Sequence, residues 1–231
     1  NIAQEPEIHD LVELLKKMGA DIHFITMNSV RITGVKKLSG CSHTIIGDRL
    51  EAGTYLIAAA ATQGQVSIKN INPKHLEFVI EKLIECGATI TTTDDSISLL
   101  MSKRPRAVNI TTMPYPGFPT DLQALWLALN SIATGDSEVI DTIYESRMAH
   151  VLELGRMGAN LIQDKNKITI SGIPQLSATD VYASDIRASA SLVIAALCAS
   201  GNTHIHNTDY IDRGYVSLEE KLRKIGARIH R

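Results

Sequence analysis

The sequence predicts an α/β fold built from repeated units of about seventy residues, and three observations carry that prediction. First, an amphipathic segment is closed four times by Gly-Ala and an apolar residue. The copies are Gly19-Ala20-Asp21-Ile22, Gly87-Ala88-Thr89-Ile90, Gly158-Ala159-Asn160-Leu161 and Gly226-Ala227-Arg228-Ile229, with glycines 68, 71 and 68 residues apart. A glycine there is free to take the left-handed conformation that ends a helix. Second, another module alternates with the first. Asp48, Asp121 and Asp185 each precede an Ala-rich helix that closes near Gly64, Gly135 or Gly201. Four residues past each glycine stands Ile68, Val139 or Ile205, and six past it Asn70, Asp141 or Asn207. Agreement of three copies at this resolution marks an internal repeat. Third, the two helix types differ in polarity. Leu56–Ala61 and Leu192–Leu197 are apolar on nearly every face and belong inside a domain, whereas the Gly-Ala helices keep a charged face for the surface.

Taken in order, Glu5-Pro6-Glu7 opens the first helix with a proline and an acidic first turn. Later surface helices run through Phe78–Ile84, Val151–Leu154 and Leu218–Leu222. Strands are expected at Ser96–Leu100, Ala107–Ile110, Lys167–Ser171 and Asp180–Tyr182. Between Tyr115 and Pro119 a Pro/Gly-rich turn leads into a helix over Leu122–Thr134, with Thr120 or Asp121 as its N-cap. Each unit therefore reads strand-helix-strand-helix-strand-strand, with sheets around buried helices. Asn1-Ile2 matches the end of a module's strand, so the chain is expected to begin partway through a unit.

With 44% hydrophobic and only 4% aromatic residues, the core must be Ile, Leu, Val and Ala. The net charge of -2 and the lack of a basic run give no electrostatic case for nucleic acid. Neither a signal peptide nor a membrane-length apolar run is seen. Cys41, Cys86 and Cys198 are odd in number and far apart, which supports neither a disulfide framework nor a zinc site and suits a reducing cytoplasm. Cys86 and Cys198 read as small core residues. His204 and His206 share a strand face but lack a third ligand, so a solvated face is the better reading. Trp126 reads as core. No P-loop or dinucleotide fingerprint occurs, and no metal or cofactor is expected.

Residues shared by the copies serve the fold, so function is sought where the copies differ. Arg147 and Arg213 stand six residues beyond Asp141 and Asn207, where the first copy has Leu76. At a helix start a cation gains nothing from the dipole. These arginines either bind an anion or make local salt bridges with Glu145 or Asp212. Arg187 lies two residues after Asp185, where the sister copies have Leu50 and Gln123. Guanidiniums gathered beside backbone N–H groups suit phosphate or carboxylate. Asp48, Asp121, Glu145 and Asp185 are candidates for proton transfer if one approaches its target. Asp121 can equally be a plain helix cap.

Several stretches carry a resemblance: Glu5-Pro6-Glu7-Ile8, Asp48-Arg49-Leu50-Glu51-Ala52-Gly53-Thr54, Lys103-Arg104-Pro105, Phe118-Pro119-Thr120-Asp121 and Glu145-Ser146-Arg147. Two more are Asp185-Ile186-Arg187-Ala188-Ser189-Ala190-Ser191 and Ile211-Asp212-Arg213-Gly214-Tyr215. In this order they resemble the UDP-N-acetylglucosamine 1-carboxyvinyltransferase family, the enolpyruvyl transferases that open bacterial peptidoglycan synthesis. The resemblance implies an inside-out α/β barrel of repeated βαβαββ units. Residues 1–46 would form the tail of a first domain and residues 47–231 most of a second. It also implies transfer of the enolpyruvyl group of phosphoenolpyruvate to the 3′-hydroxyl of UDP-N-acetylglucosamine, with release of phosphate and without a cofactor. By it, Asp121 matches the carboxylate that contacts and deprotonates the sugar hydroxyl. Ile143 matches a backbone contact to the nucleotide sugar, and Arg213 an arginine that holds phosphoenolpyruvate. Arg147, Asp185, Arg187, Glu145 and Asp48 match cleft positions. The family's mobile-loop cysteine, a lysine, an asparagine and further arginines fall ahead of Asn1, so the 231-residue chain alone is expected to show no turnover. Two rivals remain: a shikimate-pathway enolpyruvyl transferase, and a non-catalytic binding module of the same fold.

Overall fold

The computed structural model describes residues 1–231. Helix α1 (Pro6–Lys17) begins with its proline, and the hairpin of β1 (Asp21–Thr26) and β2 (Ser29–Thr33) follows. Residues 34–48 then cross to the next helix without helix or strand. They are held on α1 by the Ser39 N–H to Met18 carbonyl bond (2.7 Å) and by His43 Nε2 against Asp10 (2.9 Å).

Three units follow. The first has α2 (Arg49–Ala61), β3 (Gln65–Lys69), α3 (Glu77–Glu85), β4 (Thr89–Thr93) and β5 (Ser96–Leu100). The second has β6 (Ile110–Thr111), α4 (Gln123–Ser131), β7 (Asp136–Ile140), α5 (Ala149–Arg156), β8 (Asn160–Asp164) and β9 (Lys167–Ser171). That is the βαβαββ order expected from the repeat. The third has β10 (Leu176–Ser177), β11 (Asp180–Tyr182), α6 (Ile186–Leu197), β12 (Ala199–Ser200), β13 (His204–His206), α7 (Asp209–Asp212) and α8 (Leu218–Lys224). The sheets run β3-β5-β4 and β6-β7-β9-β8, with parallel pairs β10-β12 and β11-β13. Ile68 faces Ile97 and Val139 faces Ile168, so two units repeat the same register.

The apolar helices α2, α4 and α6 lie against one another at the centre, as their all-round hydrophobicity requires. Every residue of α4 is buried, while β4 and β8 expose most of theirs, so helices are inside and sheets outside. One hydrophobic core runs from Ala52 to Leu222 and takes no residue from the first 46. Trp126 is fully buried, meets Phe118 edge-on at 5.2 Å and donates to the Val108 carbonyl (3.1 Å). Burial pushes the Cys86 and Cys198 thiols up to about 12, which leaves both inert at neutral pH.

Gly19, Gly87, Gly158 and Gly226 all adopt the left-handed conformation, with φ between 87° and 109°. In the other module Gly135 and Gly201 do so as well. Near Gly64, however, the left-handed residue is Gln63 (φ 53°).

Two expected elements are shorter in the structure. The strand over Ala107–Ile110 reduces to Ile110–Thr111, because its leading residues bond to the end of the buried helix. Ala107 N–H reaches the Thr134 carbonyl (3.0 Å), and the Val108 carbonyl accepts from Trp126 and Asn130. The helix over Leu122–Thr134 opens instead as a 3-10 turn, Thr120–Leu122, and α4 ends at Ser131. Arg104 takes the next two carbonyls, Ile132 and Ala133, at 2.7 Å each.

Candidate active site

Three equivalent aspartates begin the three buried helices, and two of them are consumed as caps. Asp48 Oδ1 accepts the N–H groups of Leu50 and Glu51 (2.8 and 3.0 Å), and Asp185 Oδ1 accepts those of Arg187 and Ala188 (2.8 and 2.9 Å). Asp121 is different. The 3-10 turn is preceded by Pro119, and neither Asp121 nor Thr120 makes a capping bond. The expected N-cap role is therefore corrected for both residues. The Thr120 hydroxyl is drawn instead to Asp141 Oδ2 (2.7 Å).

The freed Asp121 carboxylate stands between two guanidiniums. Arg147 Nη1 donates to its Oδ1 (2.7 Å) and Arg187 Nη2 to its Oδ2 (3.3 Å). Arg187 Nη1 also reaches the Tyr215 hydroxyl (3.4 Å), which in turn donates to Thr54 Oγ1 (2.9 Å), the Thr54 proton being given to the Leu50 carbonyl. Thr54 lies on α2 of the first unit, Asp121 and Arg147 belong to the second, and Arg187 and Tyr215 to the third. All three units thus meet at one cluster. Burial pulls the Asp121 carboxyl upward, but the Arg187 and Arg147 guanidiniums outweigh it and hold it below the ordinary carboxylate value. Burial opposes the charge on Arg187, and Asp121 and Tyr215 more than restore it. The Asp121 side chain is 31% exposed, so a solute can reach a carboxylate that is ionised at neutral pH.

A fully buried carboxylate holds the loop that carries Arg147. Asp141 Oδ1 accepts from the Thr112 hydroxyl (2.8 Å) and from the N–H groups of Ile143 and Tyr144 (2.9 Å each). Burial raises its pKa, and these donors together with Thr120 outweigh that effect, leaving the group ionised. Ile143, with its N–H used in this way, is 45% exposed and its carbonyl has no partner in the chain. Behind the loop His150 is buried with both ring nitrogens unpartnered, and burial lowers its pKa to about 4.

Of the residues expected at a site, the structure brings together Asp121, Arg147 and Arg187. Asp48 and Asp185 lie at the starts of the neighbouring helices as caps. Glu145 is exposed and makes no side-chain bond, so the local pair with Arg147 does not form; Arg147 turns to Asp121. Nor does Asp212 pair with Arg213, because it holds Arg231 at 2.5 and 2.7 Å. Arg213 is exposed and ends the short helix α7 rather than starting one. Its neighbour Gly214 packs so tightly on α6 that an added Cβ would lie 2.4 Å from Ile186 and 3.9 Å from Arg187 Nη1. That packing ties the end of α7 to the start of α6, but the Arg213 side chain makes no bond to the cluster. Asp141, Tyr215 and Thr54 complete the cluster without having been singled out as site residues. For Asp141 the signal was present: it is the one carboxylate among Asn70, Asp141 and Asn207. The two asparagines take left-handed corners (φ 58° and 60°), whereas the aspartate organises a loop. The histidines of β13 hold no third ligand; His206 bonds Asp180 (3.0 Å) and stacks on Tyr182.

Comparison with known proteins bears on this arrangement. The chain is 48% identical over its whole length to UDP-N-acetylglucosamine 1-carboxyvinyltransferase 1 of Caldanaerobacter subterraneus subsp. tengcongensis, and covers 56% of that protein. It is 50% identical to UDP-N-acetylglucosamine 1-carboxyvinyltransferase of Vesicomyosocius okutanii, covering 55%. The chain thus spans about half the length of the curated relatives it matches. Its fold resembles the enolpyruvyl transferase NikO from Streptomyces tendae, with a TM-score of 0.85 and 28% identity over 98% of this chain and 55% of that one. EPSP synthase from Acinetobacter baumannii shares the fold at a TM-score of 0.74 and 19% identity, over 95% of this chain and 55% of that one. Residues 1–222 match the family described as EPSP synthase (3-phosphoshikimate 1-carboxyvinyltransferase), and the chain belongs to that family of enolpyruvyl transferases.

Proposed function

We propose that the protein containing this chain transfers the enolpyruvyl group of phosphoenolpyruvate to the 3′-hydroxyl of UDP-N-acetylglucosamine, with release of phosphate. The observation that carries this reading is the Asp121 carboxylate, withheld from capping and held between Arg147 and Arg187 where three units meet. Identity of 48% and 50% to two proteins named for this substrate favours the nucleotide sugar over 3-phosphoshikimate.

The chemistry follows from the charges. Two guanidiniums converge on the Asp121 carboxylate, and their remaining N–H donors suit an anionic substrate. When a phosphate or carboxylate takes donors from Arg147 and Arg187, Asp121 loses the partners that depress its pKa and becomes a stronger base. It then accepts the proton of the attacking sugar hydroxyl, while the arginines stabilise charge developing on the phosphoenolpyruvate-derived unit. The unpartnered carbonyl of the exposed Ile143 would accept a hydrogen bond from the nucleotide sugar. Asp185 and Asp48 act through the helices they cap.

On this reading residues 1–46 form the tail of one domain and residues 47–231 most of another. The absence of the first 46 residues from the main core supports that division. A role in peptidoglycan synthesis, and through it in cell shape and division, and a cytoplasmic location follow from the substrates; no helix is long and apolar enough to cross a membrane. The test is phosphate release by the intact protein with UDP-N-acetylglucosamine and with 3-phosphoshikimate as acceptors. Turnover only with the nucleotide sugar, reduced about 10²–10⁴-fold in Asp121→Asn, is the expected result. Unchanged turnover in that variant returns Asp121 to a structural role.

A further inference from the structure

Arg49 is a buried charge in a place where its sisters are apolar. It follows Asp48 as Leu122 follows Asp121 and Ile186 follows Asp185, and Leu122 is wholly buried. A guanidinium in such a position loses hydration and must be compensated by specific partners. Its partners come from two separate elements. Nε donates to Glu7 Oε1 (2.8 Å), Nη2 reaches Glu7 Oε2 (3.5 Å), and Glu7 belongs to α1, which contributes nothing to the main core. The guanidinium carbon also lies 5.5 Å from the centre of the Tyr115 ring, within cation–π range.

Tyr115 begins the turn that delivers Asp121, and that turn is tightly made. Met113 N–H bonds the Phe118 carbonyl (3.0 Å), Gly117 N–H bonds the Pro114 carbonyl (2.9 Å), and Leu122 N–H bonds Pro119 (3.0 Å). A Cβ on Gly117 would come within 2.5 Å of the Met113 Cβ, so the turn has little slack of its own. Arg49, Pro116, Gly117 and Pro119 line one narrow crevice. A displacement at Tyr115 is therefore passed along a stiff segment to Asp121.

We propose that Arg49 is a positioning residue that clamps Glu7 of α1 and the Tyr115 ring together, so that the docking of the residue 1–46 segment sets the Tyr115–Pro119 turn and, through it, Asp121. The consequence for turnover rests on the enolpyruvyl-transfer reading; the mechanical coupling does not.

Hydrogen exchange and kinetics on the intact protein separate the two. Glu7→Gln removes the charge at one end without touching the turn, and Arg49→Met places an apolar side chain where the sister units have Leu and Ile. Both variants are expected to speed exchange of the Met113 and Gly117 amides about tenfold while leaving the Asp185-capped amides of Arg187 and Ala188 unchanged. Both should lower kcat by roughly tenfold to a hundredfold with little change in KM, as a misplaced base would. The double variant should be no worse than Arg49→Met alone. Acceleration confined to residues 5–10 and 49–53, or additive effects in the double variant, would overturn the coupling. If the unsubstituted intact protein transfers no enolpyruvyl group, the function reading fails while the exchange result still decides the clamp.

Discussion

Asp48, Asp121 and Asp185 are the same residue at the same place in three copies, yet only two cap a helix. The difference lies in the approach. Pro119 leads Asp121 into a 3-10 turn, and Asp141 takes the Thr120 hydroxyl that could otherwise have capped it. Asp141 accepts four bonds through its two carboxylate oxygens while fully buried, so Asp141→Asn should cost about 2–4 kcal/mol at neutral pH, read from urea unfolding. Its folded pKa is depressed below the ordinary carboxylate value, so its stabilisation is present above the unfolded value and lost as pH falls through the folded one. The variant should accordingly show a flatter acid limb than the parent. His150 works in a different window. With its folded pKa lowered from 6.5 to about 4, the unfolded chain takes up the proton first as pH falls between those values. Stability should decline over that range by about 3 kcal/mol on account of this group, and His150→Phe should remove that part of the decline.

At the scale of elements, close approach decides what each position tolerates. A Cβ on Gly172 would lie 2.0 Å from the Ala133 carbonyl oxygen, just past α4, where backbone cannot retreat. Gly172→Ala should lower stability by about 2–4 kcal/mol. Gly155, inside α5, has nothing within 4 Å of its added Cβ. Gly155→Ala should instead raise stability by about 0.5–1 kcal/mol through the helix propensity of alanine, and paired thermal melts of the two variants check both signs. Arg104 makes the same point from the polar side: it satisfies the Ile132 and Ala133 carbonyls past the end of α4 from a position distant in sequence.

For the molecule as a whole, three units contribute to one corner, but the chain spans about half of its curated relatives. On the proposed reading, Asp121 would supply the base and Arg147 and Arg187 the anion-binding donors, all from this one half. The 231-residue polypeptide by itself is expected to give no measurable enolpyruvyl transfer, and a coupled phosphate assay at micromolar protein would detect it if present. Phosphate binding is the more direct probe of the corner. Arg187→Met should weaken it, since that guanidinium contacts both Asp121 and Tyr215.

The sequence alone determined the repeat, the alternation of buried and surface helices, the glycine caps and the family resemblance, because those depend on local periodicity and on backbone conformations that few residues allow. It also showed that Arg147, Arg187 and Arg213 break the repeat. Tertiary structure decided which of those charges meet. Whether Asp121 caps a helix or binds two guanidiniums depends on Asp141, twenty residues away, and on Arg187, sixty-six residues away. The competition among donors for one carboxylate is settled by distance in space, which the order of residues does not record.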